Sequence, residues 1–185
     1  FYNLDNEPDI WWETHRDVHP APATYSELKT RLEQWGTAVK SADPTARTLG
    51  PGEWGWIAYF DSAARDRAVY GVDFVPYYLA QARIWELASG QRILDYLDLH
   101  VYPQAVGVST GAIDPATSGM RVRSTRTLWD PTYAVESWEA CCYGGVLNVI
   151  PRMRGWVAKH YPGTKLAIGG YGWGALGDIS GAITQ

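Results

Sequence analysis

The chain has 185 residues, of which 46% are hydrophobic and 19% are charged, and this composition is typical of a globular protein. Its net charge of −4 argues against a nucleic-acid-binding surface, which would need a basic stripe. No apolar run approaches the roughly 20 residues of a membrane-spanning helix, so we expect no membrane partner.

The first predicted element is a short strand that leads into Asn6-Glu7-Pro8, with Trp11 and Trp12 close behind. Pro8 has no N–H for a strand ladder, so we expect Glu7 to stand at the end of the strand. A carboxylic acid beside aromatic surfaces suits the hydrolysis of a glycosidic bond, which needs a proton donor and flat faces for sugar rings. A solvated Glu7 in an ordinary loop is the alternative. Because the chain opens on Phe1 inside this strand, we expect it to be an excerpt from a longer protein.

Two histidines, His15 and His19, follow at a spacing that would let them share a metal ion on a helix. Pro20 and Pro22 come directly after them, and no glutamate adjoins His15 as a zinc protease would require. We therefore expect loop histidines and no metal site.

Three helices are predicted from apolar residues at helical spacing. The first begins at the capping box Thr24-Tyr25-Ser26-Glu27 and ends at Asp43-Pro44. The second runs from about 74 to 88, between Asp73 as its N-cap and Gly90. The third ends near His160, before Pro162-Gly163.

Strands are predicted between these helices. One lies near Arg47-Thr48-Leu49 and is stopped by Gly50-Pro51-Gly52, one spans Ile93 to Val101, and one spans Lys165 to Ile168. Alternating strands and helices with long crossovers imply a parallel α/β fold. We expect residues 1–185 to belong to one domain without an internal boundary.

A long polar connection from Ala105 to Thr132 separates the last two strands. Its arginines Arg121, Arg123 and Arg126 would decorate a solvated edge, or one of them could position a carboxylate. A connection of this length is usually functional, for example as an active-site wall. The adjacent Cys141 and Cys142 are expected to be free thiols, because a disulfide between neighbours would be strained.

Several motifs together carry a family resemblance. They are Tyr2-Asn3-Leu4-Asp5-Asn6-Glu7-Pro8-Asp9, Leu49-Gly50-Pro51 with Trp54-Gly55-Trp56, Leu97-Asp98-Leu99-His100-Val101-Tyr102-Pro103-Gln104, and segments at 123–126, 128–133 and 150–153. The chain resembles glycoside hydrolase family 44, endoglucanases and xyloglucanases with a (β/α)8 TIM barrel and an added β-sandwich. The resemblance implies that this chain holds about strands four to seven of the barrel.

The resemblance also implies roles for individual residues. Glu7 would be the acid/base of a retaining mechanism, and Asn6 would contact a sugar hydroxyl. His100 and Tyr102 would lie beside the reacting sugar. The family's nucleophile is a glutamate in a segment ending Glu-Tyr-Asn-Trp-Gly, whereas this chain has Gly170 at that position. The remaining residues expected to bind substrate are Trp11, Trp12, Trp54, Trp56, Tyr171 and Trp173.

Three hypotheses follow. The chain belongs to a secreted, extracellular hydrolase of β-1,4-glucans, such as an endoglucanase or xyloglucanase, and is impaired at Gly170. Alternatively, it is a carbohydrate binder without hydrolytic activity, or an inactive barrel fragment that self-associates through open sheet edges.

A β-glucan is the expected partner, and no cofactor is implied. A structural calcium ion is left open, because no sequence pattern identifies one. Residues Gly172 to Gly177 match a dinucleotide fingerprint, but as an isolated motif without the second strand that it requires.

Overall fold

The computed structural model describes residues 1–141 and 144–185. Within this part of the chain, a four-stranded sheet has the order β1 (Tyr2–Asn3), β2 (Thr48–Glu53), β3 (Tyr96–Leu99) and β4 (Lys165–Ala167). All three neighbouring pairs are parallel. The predicted parallel α/β fold is therefore confirmed.

The α-helices are α1 (Trp11–Thr14), α2 (Tyr25–Ala42), α3 (Arg67–Tyr70), α4 (Phe74–Ser89), α5 (Pro115–Ser124), α6 (Val149–His160) and α7 (Ile179–Thr184). Short 3-10 helices lie at Pro8–Ile10, Trp56–Tyr59, Thr125–Leu128 and Trp138–Cys141. The long helices α2, α4 and α6 are the three predicted ones. The sequence did not predict the shorter helices, because one or two turns give little periodic signal. Among the described residues, no helix has the length and hydropathy needed to cross a membrane.

Helix α2 starts where the sequence predicts. The Thr24 side chain accepts a hydrogen bond from the Glu27 N–H at 3.1 Å, which satisfies one exposed donor of the first turn. Leu28 and Leu32 are buried on its inner face. The helix ends with Asp43 in an extended conformation, as the following proline favours.

Helix α4 also has the predicted bounds, although its first turn differs in detail. Asp73 occupies the N-cap position without a side-chain capping bond, because its carboxylate pairs with Arg67 at 2.6 Å. Gly90 ends the helix at φ +73°, a left-handed conformation that glycine adopts without strain.

Strand β2 corrects one prediction. Gly50-Pro51-Gly52 does not stop the strand, which continues to Glu53. The register against β3 shifts between Pro51 and Glu53, so a bulge accommodates the residue that cannot donate to the ladder. The extension matters because it places the Glu53 side chain at the end of a central strand.

An ion pair anchors the opposite, amino-terminal edge of the sheet. Lys40 on α2 donates to Asp95, just before β3, at 2.5 Å, and both side chains are nearly buried. The same carboxylate accepts the Thr48 N–H at 2.9 Å, which joins the starts of β2 and β3.

Packing divides the chain into two compact units. The first contains Phe1–His100 and Arg154–Gly170, and the second contains Val101–Met153 and Tyr171–Gln185. A single domain over residues 1–185 stays a prediction. Cys141 is an exposed free thiol, whereas Cys142 lies outside the described residues.

The second unit corrects the view of the long connection as a polar edge. Arg121 on α5 is completely buried, and its guanidinium donates to the carbonyls of Val108 and Trp173 and to the Ser180 hydroxyl. The prediction that Arg121 lies on a solvated edge is therefore wrong. Arg126 does hold a carboxylate, that of Asp130, at 2.7 Å.

Candidate active site

The carboxyl ends of the four strands carry most of the residues singled out in the first unit. Glu7 follows β1, Glu53 is the last residue of β2, His100 follows β3, and Gly170 follows β4. Since parallel strands end at the same edge of a sheet, these positions share one edge. In α/β proteins this edge is where ligands bind.

Glu7 has an unusual backbone conformation. Its φ of 49° and ψ of 54° are left-handed, which costs a non-glycine residue on the order of 1–3 kcal/mol. The Glu7 N–H donates to the Gly52 carbonyl at 2.8 Å, and the Glu7 carbonyl accepts the Ile10 N–H at 3.1 Å. Pro8 occupies the first position of the 3-10 helix that follows. These contacts turn the chain sharply and direct the Glu7 side chain across β2 to a partner at the end of β3.

That partner is His100. Its Nδ1 lies 2.8 Å from Oε1 of Glu7, and the two side chains are 5% and 18% exposed, respectively. The His100 backbone is held on both sides: its N–H donates to the Glu53 carbonyl at 2.9 Å, and its carbonyl accepts the Tyr59 hydroxyl. The imidazole therefore fixes the orientation of a largely buried carboxyl group.

A second pair of acids lies next to Glu7. Glu53 is 1% exposed, and its carboxyl group hydrogen-bonds that of Asp9. Burial, followed by the charge of Asp9, raises the pKa of Glu53 well above its usual range. Burial also raises the pKa of Asp9, with a further contribution from Glu7. Both shifts favour the protonated form of a carboxyl group in this pair, most of all for the buried Glu53.

Asp98 ties three strand ends together. It is fully buried on β3 and accepts the Gly169 N–H at 2.6 Å and the Asn3 side-chain N–H at 3.2 Å. Burial raises its pKa although these hydrogen bonds oppose the shift. A Cβ atom on Gly169 would lie 2.4 Å from Asp98 Oδ2, so the segment before Gly170 needs glycine.

The predicted aromatic platforms of the first unit divide into two groups. Trp54 is 38% exposed, and Trp11 and Trp12 are half-buried, so these three present surface to solvent. Trp56 is 3% exposed and packs edge-on against Tyr59. A platform role for Trp56 is therefore wrong, because its ring lies in the core.

Trp11 contacts the residue that precedes the acid. Its Nε1 donates to the Asn6 carbonyl at 2.9 Å, and the Arg31 guanidinium lies 4.9 Å from its ring centroid. Together with His15, Val18 and His19, these two side chains line a cleft of about 270 Å³. Asn6 itself is exposed, so its side-chain amide is accessible.

The predicted site residues of the second unit are described separately. Tyr171 is 50% exposed and forms an isolated parallel bridge with Val101, while Tyr102 is half-buried. Trp173 is 2% exposed, and its Nε1 donates to the Ser124 hydroxyl at 2.8 Å. A platform role is wrong for Trp173 as well.

The expectation of loop histidines fits the contacts of both. His15 lies 2.8 Å from the Thr14 hydroxyl and His19 lies 2.7 Å from Glu27. Across residues 1–141 and 144–185, no cluster of three or more potential ligands could hold a metal ion.

Sequence reasoning missed Asp9, Glu53 and Asp98. The available signal was a carboxylate in an apolar setting: Asp98 interrupts the run Leu97-Asp98-Leu99, and Glu53 directly follows Gly52 at a strand end. Such residues are rarely buried without a partner. Their partners, however, come from other strands and are not visible in the local sequence.

Comparison with known proteins agrees with the geometry. The sequence profile of glycoside hydrolase family 44 matches residues 1–105. The chain is 38% identical to endoglucanase A of Paenibacillus lautus, over 98% of its own length and 27% of that protein. It therefore spans about a quarter of this relative's length.

Solved structures give the same result. A family 44 xyloglucanase of Paenibacillus polymyxa with xyloglucan has a TM-score of 0.92 and 40% identity, covering 99% of this chain and 37% of that one. A family 44 endoglucanase of Clostridium thermocellum has a TM-score of 0.90 and 37% identity, covering 99% and 38%. These similarities confirm the α/β architecture of TIM-barrel type, of which this chain holds a part.

Proposed function

The chain belongs to glycoside hydrolase family 44, and we propose that it forms part of the active site of a retaining enzyme that hydrolyses β-1,4-glucans such as xyloglucan. The observation that carries the proposal is the Glu7–His100 pair at the carboxyl edge of the sheet. Barrel enzymes place their catalytic residues at this edge.

Glu7 acts as the acid/base in this proposal. In the first step it protonates the glycosidic oxygen of the leaving sugar, and in the second its carboxylate takes a proton from the attacking water. His100 donates from Nδ1 to Oε1 of Glu7 when the carboxyl is ionised, so one orientation is kept through both steps. The exposed Asn6 is placed to contact a hydroxyl of the same sugar.

Gly170 stands at the position of the nucleophile and has no carboxylate. A retaining reaction needs a second carboxylate roughly 5–5.5 Å from the first, because a covalent glycosyl-enzyme has to form. Asp98 contacts the neighbouring Gly169, but its buried side chain cannot reach a sugar. We therefore expect negligible hydrolysis by this chain.

The substrate surface consists of the exposed or half-buried aromatic residues Trp11, Trp12 and Trp54, on which sugar rings would stack. Tyr102 and Tyr171 stay predicted substrate contacts. Because a glucan polymer is too large to enter a cell intact, the proposed substrate places the protein outside the cell.

Chemical rescue tests this function. The purified chain is incubated with a weakly activated aryl β-cellobioside, whose leaving oxygen still needs a proton, with and without azide or formate, which can attack in place of the missing carboxylate. We expect anion-dependent turnover that disappears in Glu7→Gln and persists in the control Glu13→Gln, an exposed glutamate on α1. Turnover that needs no anion would show that another residue is the nucleophile.

Gly170 itself favours a second candidate, a carbohydrate-binding protein that has lost hydrolysis. Binding of cellooligosaccharides without any rescue would support it. Absence of both, in a protein that elutes as an oligomer, would support a self-associating barrel fragment instead.

A further inference from the structure

We propose that Asp9 and Glu53 are positioning residues that hold Glu7 and His100 through one hydrogen-bonded carboxylic acid–carboxylate pair. The catalytic significance of this inference rests on the proposed function, whereas the positioning itself can be tested without activity.

Two consecutive residues at the end of β2 hold the backbones of both members of the candidate catalytic pair. The Gly52 carbonyl accepts the Glu7 N–H at 2.8 Å, and the Glu53 carbonyl accepts the His100 N–H at 2.9 Å. The Trp54 N–H donates to Asp9 Oδ1 at 3.2 Å. A displacement of this strand end would therefore move Glu7 and His100 together.

The Asp9–Glu53 contact locks the turn against that strand end. Asp9 lies in the 3-10 helix that Glu7 caps, and its carboxyl meets both the Glu53 carboxyl and the Trp54 N–H. The left-handed Glu7 needs such support, because its conformation persists only where the surroundings determine it. Asp9 is the side chain that ties the far end of the turn to β2.

The contact between the Asp9 and Glu53 carboxyl groups requires that one of them is protonated. Among the described residues, no lysine or arginine forms an ion pair with Asp9 or Glu53. The titratable groups near the pair include Asp5, Glu7 and Tyr78, and also His100, whose N–H donates to the Glu53 carbonyl and whose Nδ1 contacts Glu7. Ionisation of both carboxyls would place two like charges in a buried site, and repulsion would open the contact.

Substitutions of Glu53 separate its role in positioning Glu7 and His100 from its contribution to the stability of the fold. Glu53→Gln keeps a donor toward Asp9 and does not titrate, whereas Glu53→Leu removes the donor at similar size. Asp95→Asn is the control, a buried acid at the opposite edge of the same sheet. We expect Glu53→Leu to lower anion-dependent kcat on the order of 10²-fold with little change in KM. Glu53→Gln should retain most of the rate, because the amide still donates to Asp9.

NMR tests the pair even if no turnover is found. The Glu53 carboxyl carbon of the wild type should ionise at a clearly higher pH than that of an ordinary glutamate, because burial raises its pKa. The Glu7 amide and His100 ring nitrogen signals should move in Glu53→Leu and stay in place in Glu53→Gln and Asp95→Asn. Ordinary titration of Glu53, or identical Glu7 and His100 signals in all variants, would overturn the proposal. Absence of rescue with these shifts present would count against the proposed function alone.

Discussion

His100 Nδ1 lies 2.8 Å from Glu7 Oε1, although the two residues are 93 positions apart in the chain. The contact joins the ends of two strands that are not neighbours, since β2 lies between β1 and β3. Both backbones are held by the intervening strand, through Gly52 and Glu53. The pair is therefore a product of the sheet order.

Removal of the His100 imidazole should lower the rescued turnover strongly and the stability of the fold only moderately. We expect His100→Ala to lower anion-rescued turnover on the order of 10²-fold, because the carboxyl group loses its orientation. The free energy of unfolding should fall by about 1–3 kcal/mol, since a largely buried hydrogen bond is lost. Rescue kinetics and urea denaturation measure the two effects. His160→Ala, at the end of helix α6, is the control, and unchanged turnover in His100→Ala would contradict the orienting role.

A methyl group at Gly169 should destabilise the sheet. The added Cβ would lie 2.4 Å from Asp98 Oδ2 and 2.7 Å from Oδ1, so Asp98 or β4 has to shift. We expect Gly169→Ala to lower the free energy of unfolding by about 1–3 kcal/mol. Gly155→Ala is the matched control, because it meets nothing within 4 Å on helix α6 and should stabilise the protein by about 0.5–1 kcal/mol. Equal effects of the two variants would contradict the close packing at Gly169.

Local signals in the sequence predicted local structure well. Thr24 and Gly90 determine helix ends through bonds and dihedral angles of their own neighbours, so the bounds of α2 and α4 were readable. Strand β1, by contrast, ends at Asn3, so Pro8 does not end it, and Glu7 lies in the turn that follows.

Contacts between distant segments could not be predicted from the sequence. Whether Trp56 faces a groove or the core depends on Tyr59 and Phe60, which cover its ring. The continuation of β2 through Pro51 depends on a register shift against β3 that no local pattern indicates.

Asp5 should make stability depend on pH. Burial raises its pKa to about 7 from an ordinary value of 3.8. The folded protein therefore binds this proton more tightly than the unfolded chain, and the resulting stability is present below about pH 4 and is lost as pH rises through about 7. Asp5→Asn should thus raise the free energy of unfolding at pH 8, by up to about 4 kcal/mol, and have little effect at pH 4. Denaturation series at both pH values measure this, and a stabilisation of equal size at both would contradict it.

The ion pair between Lys40 and Asp95 should stabilise the folded protein at neutral pH. Burial opposes ionisation of Asp95, yet hydrogen bonds from Lys40 and Thr48 outweigh it and lower the pKa of Asp95. The stability from this lowered pKa is present above about pH 4 and is lost as the pH falls through the lower folded-state value. We expect Lys40→Met to cost about 3–5 kcal/mol at pH 7, because a buried carboxylate loses its partner. The difference from the wild type should shrink in acid, and a pH-independent difference would argue against the ion pair.

We propose that Glu7, held by His100, is the acid/base of a retaining site in which Gly170 occupies the position of the nucleophile. Hydrolysis of xyloglucan and of an aryl β-cellobioside by Gly170→Glu, without added anion, tests it most directly. We expect Gly170→Glu to create hydrolysis with retention of anomeric configuration, and a further Glu7→Gln to abolish that hydrolysis. If Gly170→Glu folds with its Glu7 and His100 NMR signals unchanged and shows no hydrolysis, the assignment of Gly170 as the nucleophile position is contradicted.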